Sequence, residues 1–232
     1  MNDIPSTSRE AFLTRVREAA RAGRAHRVHT EPIDPSRGYV GAEGDLREAL
    51  AREIRAVGGE ATLVPDLAAA RIKLAELLAT HAVRSAVCWR HPLLEQLDLA
   101  GLLAERGAEP LDFDSLAARP AEERRPPLLA AEMGITSCDW AVAESGTLVL
   151  CAAPGRERLA SLLPPVHVAV VAAGQIVPDL FDVFAALESR KHEMPTNLVL
   201  ITGPSKTGDI ELQLTTGVHG PGVWHVLVVG DA

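Results

Sequence analysis

Aromatic residues are scarce in this chain, since Phe, Trp and Tyr together make up only 3% of its 232 residues. Hydrophobic residues of all kinds still reach 47%, which is enough for a sizeable core in a globular protein. That core must therefore be built mainly from the aliphatic side chains of Ala, Val, Leu and Ile. The length is high for one domain but normal for a single α/β sheet that carries helices on both faces.

Cysteine is sparse as well, with three widely spaced residues, Cys88, Cys138 and Cys151. An odd number in a chain without an export signal argues against a disulfide framework. Three scattered thiols also fall short of the four that an iron–sulfur cluster usually requires, several of them closely spaced. The sequence contains no Gly-x-Gly-x-x-Gly turn, the motif that binds the pyrophosphate of a dinucleotide. We therefore predict buried free cysteines, no metal site and no cofactor bound by this chain.

Positive charge is in deficit, because 23 Lys and Arg residues face 31 Asp and Glu residues and the net charge is −8. A chain of this charge repels nucleic acid and anionic membranes, and it lacks the basic patch of a nucleic-acid binder. No hydrophobic run reaches the length of a transmembrane helix. The first five residues, 1–5, have neither the basic start nor the apolar core of a signal peptide. We therefore expect a cytoplasmic protein.

The amino-terminal residues predict a helix followed by a connecting arm. Thr7 and Glu10 are spaced as a capping box, and Phe12, Leu13 and Val16 follow at helical spacing. Residues 24–44 are rich in Pro, Gly and His, which is typical of a connector. We therefore divide the chain into an arm, 1–44, which offers a surface for a partner, and a main α/β domain, 45–232.

From residue 45 onward, apolar strands alternate with helical segments. Strands that are apolar on both faces and separated by helices are typical of a mainly parallel sheet buried between two helical layers. The sequence therefore predicts a three-layer α/β/α fold. The predicted helices are 45–56, 67–80, 93–106, 128–133, 157–163 and 180–190, and the predicted strands are 61–64, 85–89, 140–142, 147–151, 167–172, 197–202 and 224–229.

The loop at residues 203–209 has the features of an anion site. It directly follows the predicted strand 197–202 and leads into residues 210–214, which we interpret as a helix. Open α/β sheets bind ligands beyond the carboxyl ends of their strands, and a helix start offers free N–H groups and partial positive charge. The alternative is a plain turn in which Thr207 or Asp209 caps the helix. The candidate anion-binding residues are Gly203, Ser205, Lys206, Thr207, Gly208 and Asp209.

A carboxylate lies in the turn between two apolar stretches, at Glu144. Burying an unpaired carboxylate costs free energy, so a carboxylate at this position indicates either a catalytic or a structural role. One hypothesis is general acid–base or nucleophilic catalysis by Glu144, with Thr147 as an additional ligand contact. The other is a structural Glu144 that pairs with Lys206, Arg158 or backbone N–H groups.

A histidine, His219, lies among three glycines just before the last strand. A histidine in such a loop can bind a substrate oxygen or move a proton, and it can equally hold the loop by hydrogen bonds. Each of the loops that carry Glu144, Lys206 and His219 adjoins a strand end. We therefore expect the three loops to meet at one edge of the sheet, in a crevice.

Several of these segments, taken in order, resemble the LUD-domain family, and in particular its stand-alone lactate-utilisation members. The resemblance extends from about Met133 to Val229 and is specific, because many separate motifs occur in register. Before Met133 only the opening helix and the general α/β pattern are similar. The matching motifs are 133–136 with Asp139, 143–150, 158–164 with His167, 176–180, 203–207 with 209–211, and 217–221.

The resemblance implies a fold similar to the NagB/RpiA/CoA-transferase-like group. It also implies a subunit of a system that oxidises L-lactate to pyruvate, with iron–sulfur clusters on partner subunits and a small carboxylate as ligand. Two alternatives stay open, a CoA-transferase- or isomerase-like enzyme that uses Glu144 and a non-catalytic assembly or regulatory module. A homo-oligomer is compatible with all three.

Overall fold

A computed structural model describes residues 9–24, 41–190, 192–210, 213–217 and 219–230. The chain divides into two compact units, residues 1–39 and 40–232. The first unit contains the predicted amino-terminal helix, α1 (Arg9–Arg24). The proposed capping residue Thr7 and most of the arm lie outside the described residues. The domain boundary at residue 44 stays a prediction.

The second unit contains the remaining helices and all the strands of the described residues. The helices are α2 (Leu46–Ala56), α3 (Leu67–Thr80), α4 (Pro92–Gln96), α5 (Leu99–Glu105), α6 (Phe113–Ala117), α7 (Ala121–Ala130), α8 (Leu159–Leu162) and α9 (Leu180–Ser189), with a 3₁₀ turn at Ala173–Gln175. The strands are β1 (Glu60–Val64), β2 (Ser85–Cys88), β3 (Glu109–Leu111), β4 (Met133–Thr136), β5 (Trp140–Val142), β6 (Thr147–Cys151), β7 (Val166–Ala172), β8 (Ile176–Val177), β9 (Leu198–Ile201), β10 (Lys206–Ile210), β11 (Gln213–Thr216) and β12 (Val223–Val229).

A six-stranded sheet forms the centre of this unit. Its order is β1-β12-β7-β4-β2-β3, and every neighbouring pair is parallel. Strands β4, β7 and β12 are almost completely buried, as expected for apolar runs covered on both faces. Helices flank the sheet, so the predicted α/β class with a mainly parallel central sheet is confirmed.

Two smaller β elements accompany the central sheet. The first is a four-stranded sheet of order β8-β5-β6-β9, in which β5–β8 is parallel and the other two pairs are antiparallel. The second is the antiparallel hairpin β10–β11. The predicted helix at 210–214 is therefore wrong. Its apolar residues, Ile210, Leu212 and Leu214, alternate with polar ones, which is the period of a strand.

Aspartates set the starts of three long helices. Asp45 accepts a hydrogen bond from the backbone N–H of Arg47, and Asp66 accepts one from Ala69. Asp179 does the same for Asp182 at the start of α9. These bonds satisfy N–H groups that have no partner within the helix, which explains why the predicted helix starts hold to within a residue.

The region between β2 and β5 differs from the prediction. The helix predicted at 93–106 is two helices, because Asp98 adopts a left-handed φ of 55° and caps α5 through Gly101. The predicted loop beyond it contains β3, α6 and most of α7. The helix predicted at 128–133 is wrong, since α7 ends at Ala130 and Met133 begins a buried strand. Within the described residues, no helix is both long and apolar enough to cross a membrane.

Candidate functional site

A cavity of about 240 Å³ lies where two of the predicted loops meet. It is bounded by the amino ends of β7 and β12, by α8, and by β9 with the loop that follows it. We call it the His167 pocket. Its polar lining residues are Ser161, His167, Thr202, Ser205, His219 and Trp224.

The register of the central sheet places the two aromatic lining residues side by side. Trp224 of β12 pairs with His167 of β7, and His167 pairs on its other side with Gly134 of β4. Partners in register project to the same face of a sheet, so the indole and imidazole rings share one face. A Cβ atom on Gly134 would overlap the carbonyl oxygen of Ala160. The missing side chain at Gly134 therefore lets α8 approach the sheet beside the pocket.

His167 is held in its neutral form. Its Nε2 atom lies 2.8 Å from the Oγ1 atom of Thr136. Burial lowers the pKa of His167 from 6.5 to about 3, because the imidazolium form would lose its hydration. At neutral pH the ring therefore offers one donor and one acceptor nitrogen and carries no charge.

Backbone hydrogen bonds join the loop after β9 to the loop before β12. Ser205 N–H donates to the carbonyl of Pro221 at 2.8 Å, and Gly217 N–H donates to the carbonyl of Ser205 at 2.9 Å. Three predicted site residues, Gly203, Ser205 and His219, consequently line the same cavity. Their convergence supports one site built from both loops.

Lys206 points to a different partner from the one expected. Its Nζ atom donates to the carbonyl oxygen of Val57, the C-cap residue that follows α2, at 2.6 Å. Thr207, Gly208 and Asp209 continue as strand β10, so the helix start on which the anion hypothesis relied is absent there. Lys206 thus pairs with a carbonyl group at the end of α2. An anion role for residues 206–209 stays a prediction, but the helix predicted at 210–214 no longer supports it.

Glu144 lies in the β5–β6 turn and is half-buried, with its backbone N–H donating to Pro178 at 3.2 Å. Its carboxylate forms no ion pair with Lys206, Arg158 or another described residue, and it does not line the His167 pocket. Thr147 is better connected. Its hydroxyl lies 2.8 Å from that of Ser145 and 2.7 Å from that of Thr202, which does line the pocket.

The pocket occupies the opposite end of the central strands from the one expected. His167 and Trp224 are each the second residue of a strand, so the pocket lies at the amino edge of this sheet. A second cavity, of about 340 Å³, lies at the carboxyl ends of β2 and β3 and is lined by Trp89, Arg90 and Asp112. A ligand site beyond the carboxyl ends of the central sheet therefore stays a prediction, but Gly203, Ser205 and His219 do not lie there. The difference arises because Gly203 follows β9, whose sheet is a separate one.

At the carboxyl edge the polar groups bond mainly to one another. Asp139 accepts hydrogen bonds from the backbone N–H of Cys151 at 2.7 Å and from Arg156 at 3.0 Å. The Arg156 guanidinium also lies 5.7 Å from the centre of the Trp89 ring. Asp139 therefore anchors the β6 end to this edge.

The cysteines lie within or near the core as free thiols. Burial raises the pKa of Cys88 to about 12 and that of Cys151 to about 11, and it raises the pKa of Cys138 as well. All three are therefore protonated at neutral pH. Across the described part of the chain, no three His, Cys, Asp or Glu side chains are grouped so that they could hold a metal ion.

His167 and Trp224 were not among the predicted site residues. Fifty-seven positions separate them, and only the β7–β12 register brings them together. The available signal was a histidine at the start of an otherwise apolar strand, since polar groups are uncommon there without a partner.

Comparisons with known proteins agree with this architecture. The LUD domain family model matches residues 47–229. A protein called Lactate utilization protein C from Geobacillus sp. is 31% identical over 225 residues, covering 94% of this chain and 91% of that one. Another of that name, from Anoxybacillus flavithermus, is 31% identical over 96% of this chain and 99% of that one. A crystal structure of a DUF162 family protein from Deinococcus radiodurans superposes with a TM-score of 0.56 at 21% identity, covering 80% of this chain and 96% of that one, and so shares its fold.

Proposed function

The chain belongs to the LUD domain family, and we propose on this basis that it is a subunit of an L-lactate utilisation system that binds a small carboxylate in the His167 pocket. The observation that carries the proposal is the similarity to proteins named Lactate utilization protein C, which extends over 94% and 96% of this chain. The similarity includes the strands and loops that form the pocket, so the site belongs to the shared part of the fold.

In this proposal L-lactate is oxidised to pyruvate, and its two electrons pass to iron–sulfur clusters on partner subunits. The number and spacing of this chain's cysteines support that division. An iron–sulfur cluster usually needs four cysteine ligands, several of them closely spaced, whereas this chain has three widely spaced cysteines. The chain's own contribution is therefore to bind and orient the carboxylate.

The size of the pocket suits such a ligand. Its volume of about 240 Å³ is below the roughly 300–1,000 Å³ of sites that hold drug-sized molecules. A three-carbon acid fits with a few waters, since one water occupies about 30 Å³. The lining mixes hydroxyl and ring N–H groups with aliphatic side chains, which is typical of sites that orient a small polar molecule.

The test is reconstitution with the iron–sulfur partner subunits, following L-lactate-dependent reduction of an electron acceptor and formation of pyruvate. Omitting this chain should abolish both signals, and adding it back should restore them. Full activity without the chain would contradict the proposal. Iron and sulfide analysis of the anaerobically purified chain tests the division of labour, because a stoichiometric cluster on this chain would contradict it.

The same preparations test the alternative of an independent CoA-transferase-like enzyme. That alternative rests on Glu144, which lies outside the pocket lining. CoA exchange by the purified chain, lost in Glu144→Gln, would favour it over the subunit role.

A further inference from the structure

Two ring nitrogens of the His167 pocket are buried without a hydrogen-bond partner among the described residues. They are Nδ1 of His167 and Nε1 of Trp224, in side chains that are 1% and 2% exposed. Folded proteins pair nearly all buried polar atoms, and an unpaired one lowers stability. The two residues are partners in register, so their rings project to the same face of the sheet, and both residues line one cavity.

The chemistry of the two nitrogens limits what a group that pairs with them can be. The indole Nε1 only donates, so the bound atom must accept a hydrogen bond. The imidazole has its Nε2 engaged with Thr136, which leaves Nδ1 as a donor or an acceptor according to the tautomer. An oxygen meets either case, since a hydroxyl both accepts and donates and a carbonyl accepts twice.

The charge of the lining determines which end of the ligand is buried. The described lining residues include no Lys or Arg, and His167 is neutral. A carboxylate placed against only neutral buried groups would lose much of its hydration free energy. Thr202 and His219 are exposed and Ser205 is half-buried, so the open side of the cavity keeps water and donors near a charged group.

We propose that the His167 pocket binds a short 2-hydroxy or 2-oxo carboxylate, with the C2 oxygen between Trp224 Nε1 and His167 Nδ1 and the carboxylate toward Ser205 and His219. The ligand class rests on the proposed function, whereas the orientation follows from the unpaired nitrogens and from the lack of Lys and Arg among the described lining residues. Trp224 and His167 are then the residues that recognise the C2 oxygen.

Calorimetric titration of the full chain with L-lactate, pyruvate and propionate tests this assignment. Propionate has the same carboxylate and carbon chain but lacks the C2 oxygen, so it leaves both nitrogens unpaired. We expect propionate to bind about ten- to a hundredfold more weakly than the tighter of the other two acids. Tighter binding of lactate than of pyruvate would identify Nδ1 as an acceptor, and comparable binding of the two would identify it as a donor.

Two variants remove the nitrogens one at a time. His167→Gln keeps an amide near the Nε2 position for Thr136 but removes Nδ1, and Trp224→Phe removes the indole N–H. Each should reduce the preference for lactate or pyruvate over propionate by about tenfold or more. Trp140→Phe is the matched control, because Trp140 is a half-buried tryptophan outside the pocket, and its preference should equal that of the wild type. If a pocket variant fails to fold, the wild-type preference and a crystal structure with L-lactate decide.

Equal affinity for propionate would overturn the assignment, and so would a lactate-soaked crystal in which only water bonds to the two nitrogens. If none of the acids binds but acceptor reduction still requires this chain, the pocket assignment fails and the proposed function stands. If reduction proceeds without the chain, the proposed function fails. The preference for lactate or pyruvate over propionate then still tests whether the pocket recognises the C2 oxygen.

Discussion

The two larger sheets of this protein differ in their strand pairing and in the exposure of the strands that adjoin the pocket. In the six-stranded sheet, β4, β7 and β12 are almost wholly buried and their neighbours are all parallel. In the four-stranded sheet, β9 is half-exposed and the pairing is mixed. The six-stranded sheet supplies His167 and Trp224, which form the buried floor of the pocket. The half-exposed strand β9 leads into the loop that lines the open side of the pocket. The lining of the pocket thus comes from both sheets, and substitutions in the two should affect stability unequally.

The largest loss of stability should follow from Gly134→Ala in the buried sheet. The new Cβ would overlap the Ala160 carbonyl, so α8 or β4 must move, and we expect the free energy of unfolding to fall by about 3 kcal/mol or more. Urea denaturation measures this. Gly174→Ala is the control, since a Cβ there meets no atom within 4 Å. Similar losses in both variants would show that close packing of α8 on the sheet is unimportant.

A smaller loss is expected from Gly146→Ala in the turn of the second sheet. Gly146 has φ +66°, and its Cβ would lie 2.6 Å from the backbone nitrogen of Ile54 in α2. Gly107 has the same φ of +66° but open space around it, so Gly107→Ala isolates the backbone strain. We expect a loss of about 1 kcal/mol for Gly107→Ala and roughly 2–3 kcal/mol for Gly146→Ala. Equal losses of stability in the two variants would mean that close contact between Gly146 and α2 does not contribute to the effect.

Acid should weaken the buried sheet through His167. Its pKa is about 3 in the folded chain against an ordinary 6.5, so between these values the unfolded chain binds a proton that the folded chain excludes. The stability contributed by neutral His167 is therefore complete above pH 6.5 and is lost as the pH falls toward 3. The wild type should lose up to about 1.4 kcal/mol per pH unit more than His167→Gln. Unfolding curves at pH 7, 6, 5 and 4 measure the difference, and parallel pH profiles would contradict it.

The smallest effect is expected at the exposed hairpin, from Lys206→Met. Losing the hydrogen bond to Val57 at the end of α2 should reduce stability by less than about 1 kcal/mol. Lys73→Met, which removes a half-exposed lysine paired with Glu76, is the control. Titration with phosphate, lactate and pyruvate completes the comparison. Unchanged affinities would leave Lys206 as a helix cap, and a tenfold loss would favour the anion role instead.

The sequence predicted the buried sheet better than the exposed parts for a physical reason. Strands such as β7 and β12 are apolar on both faces and read as continuous hydrophobic runs, and aspartates before α2 and α3 mark the helix starts. The hairpin β10–β11 has short strands rich in Thr, Gly and Asp, where local preference is weak. The alternation of apolar and polar residues at 210–214 indicates a strand, in agreement with the hairpin and not with the predicted helix.

The site was predicted only in part. Gly203, Ser205 and His219 were identified because loops next to strands commonly bind ligands, and all three line the pocket. The pairing of Trp224 with His167 depends on strand order, in which β12 lies between β1 and β7. Local sequence patterns do not determine that order, so the floor of the pocket became visible only in the fold.

The same strand order has a consequence for how the chain folds. β12 follows the other described strands in sequence, yet it pairs with β1 and β7 through contacts such as Glu60 with His225. Until residues 223–229 are synthesised and docked, β1 and β7 each expose an unpaired edge, and such edges promote association between chains. Pairing across so many residues also slows folding, because a long loop must close before it is stabilised. A nascent or truncated chain without β12 should therefore be a preferred client of chaperones, and the pocket floor should be among the last parts to form.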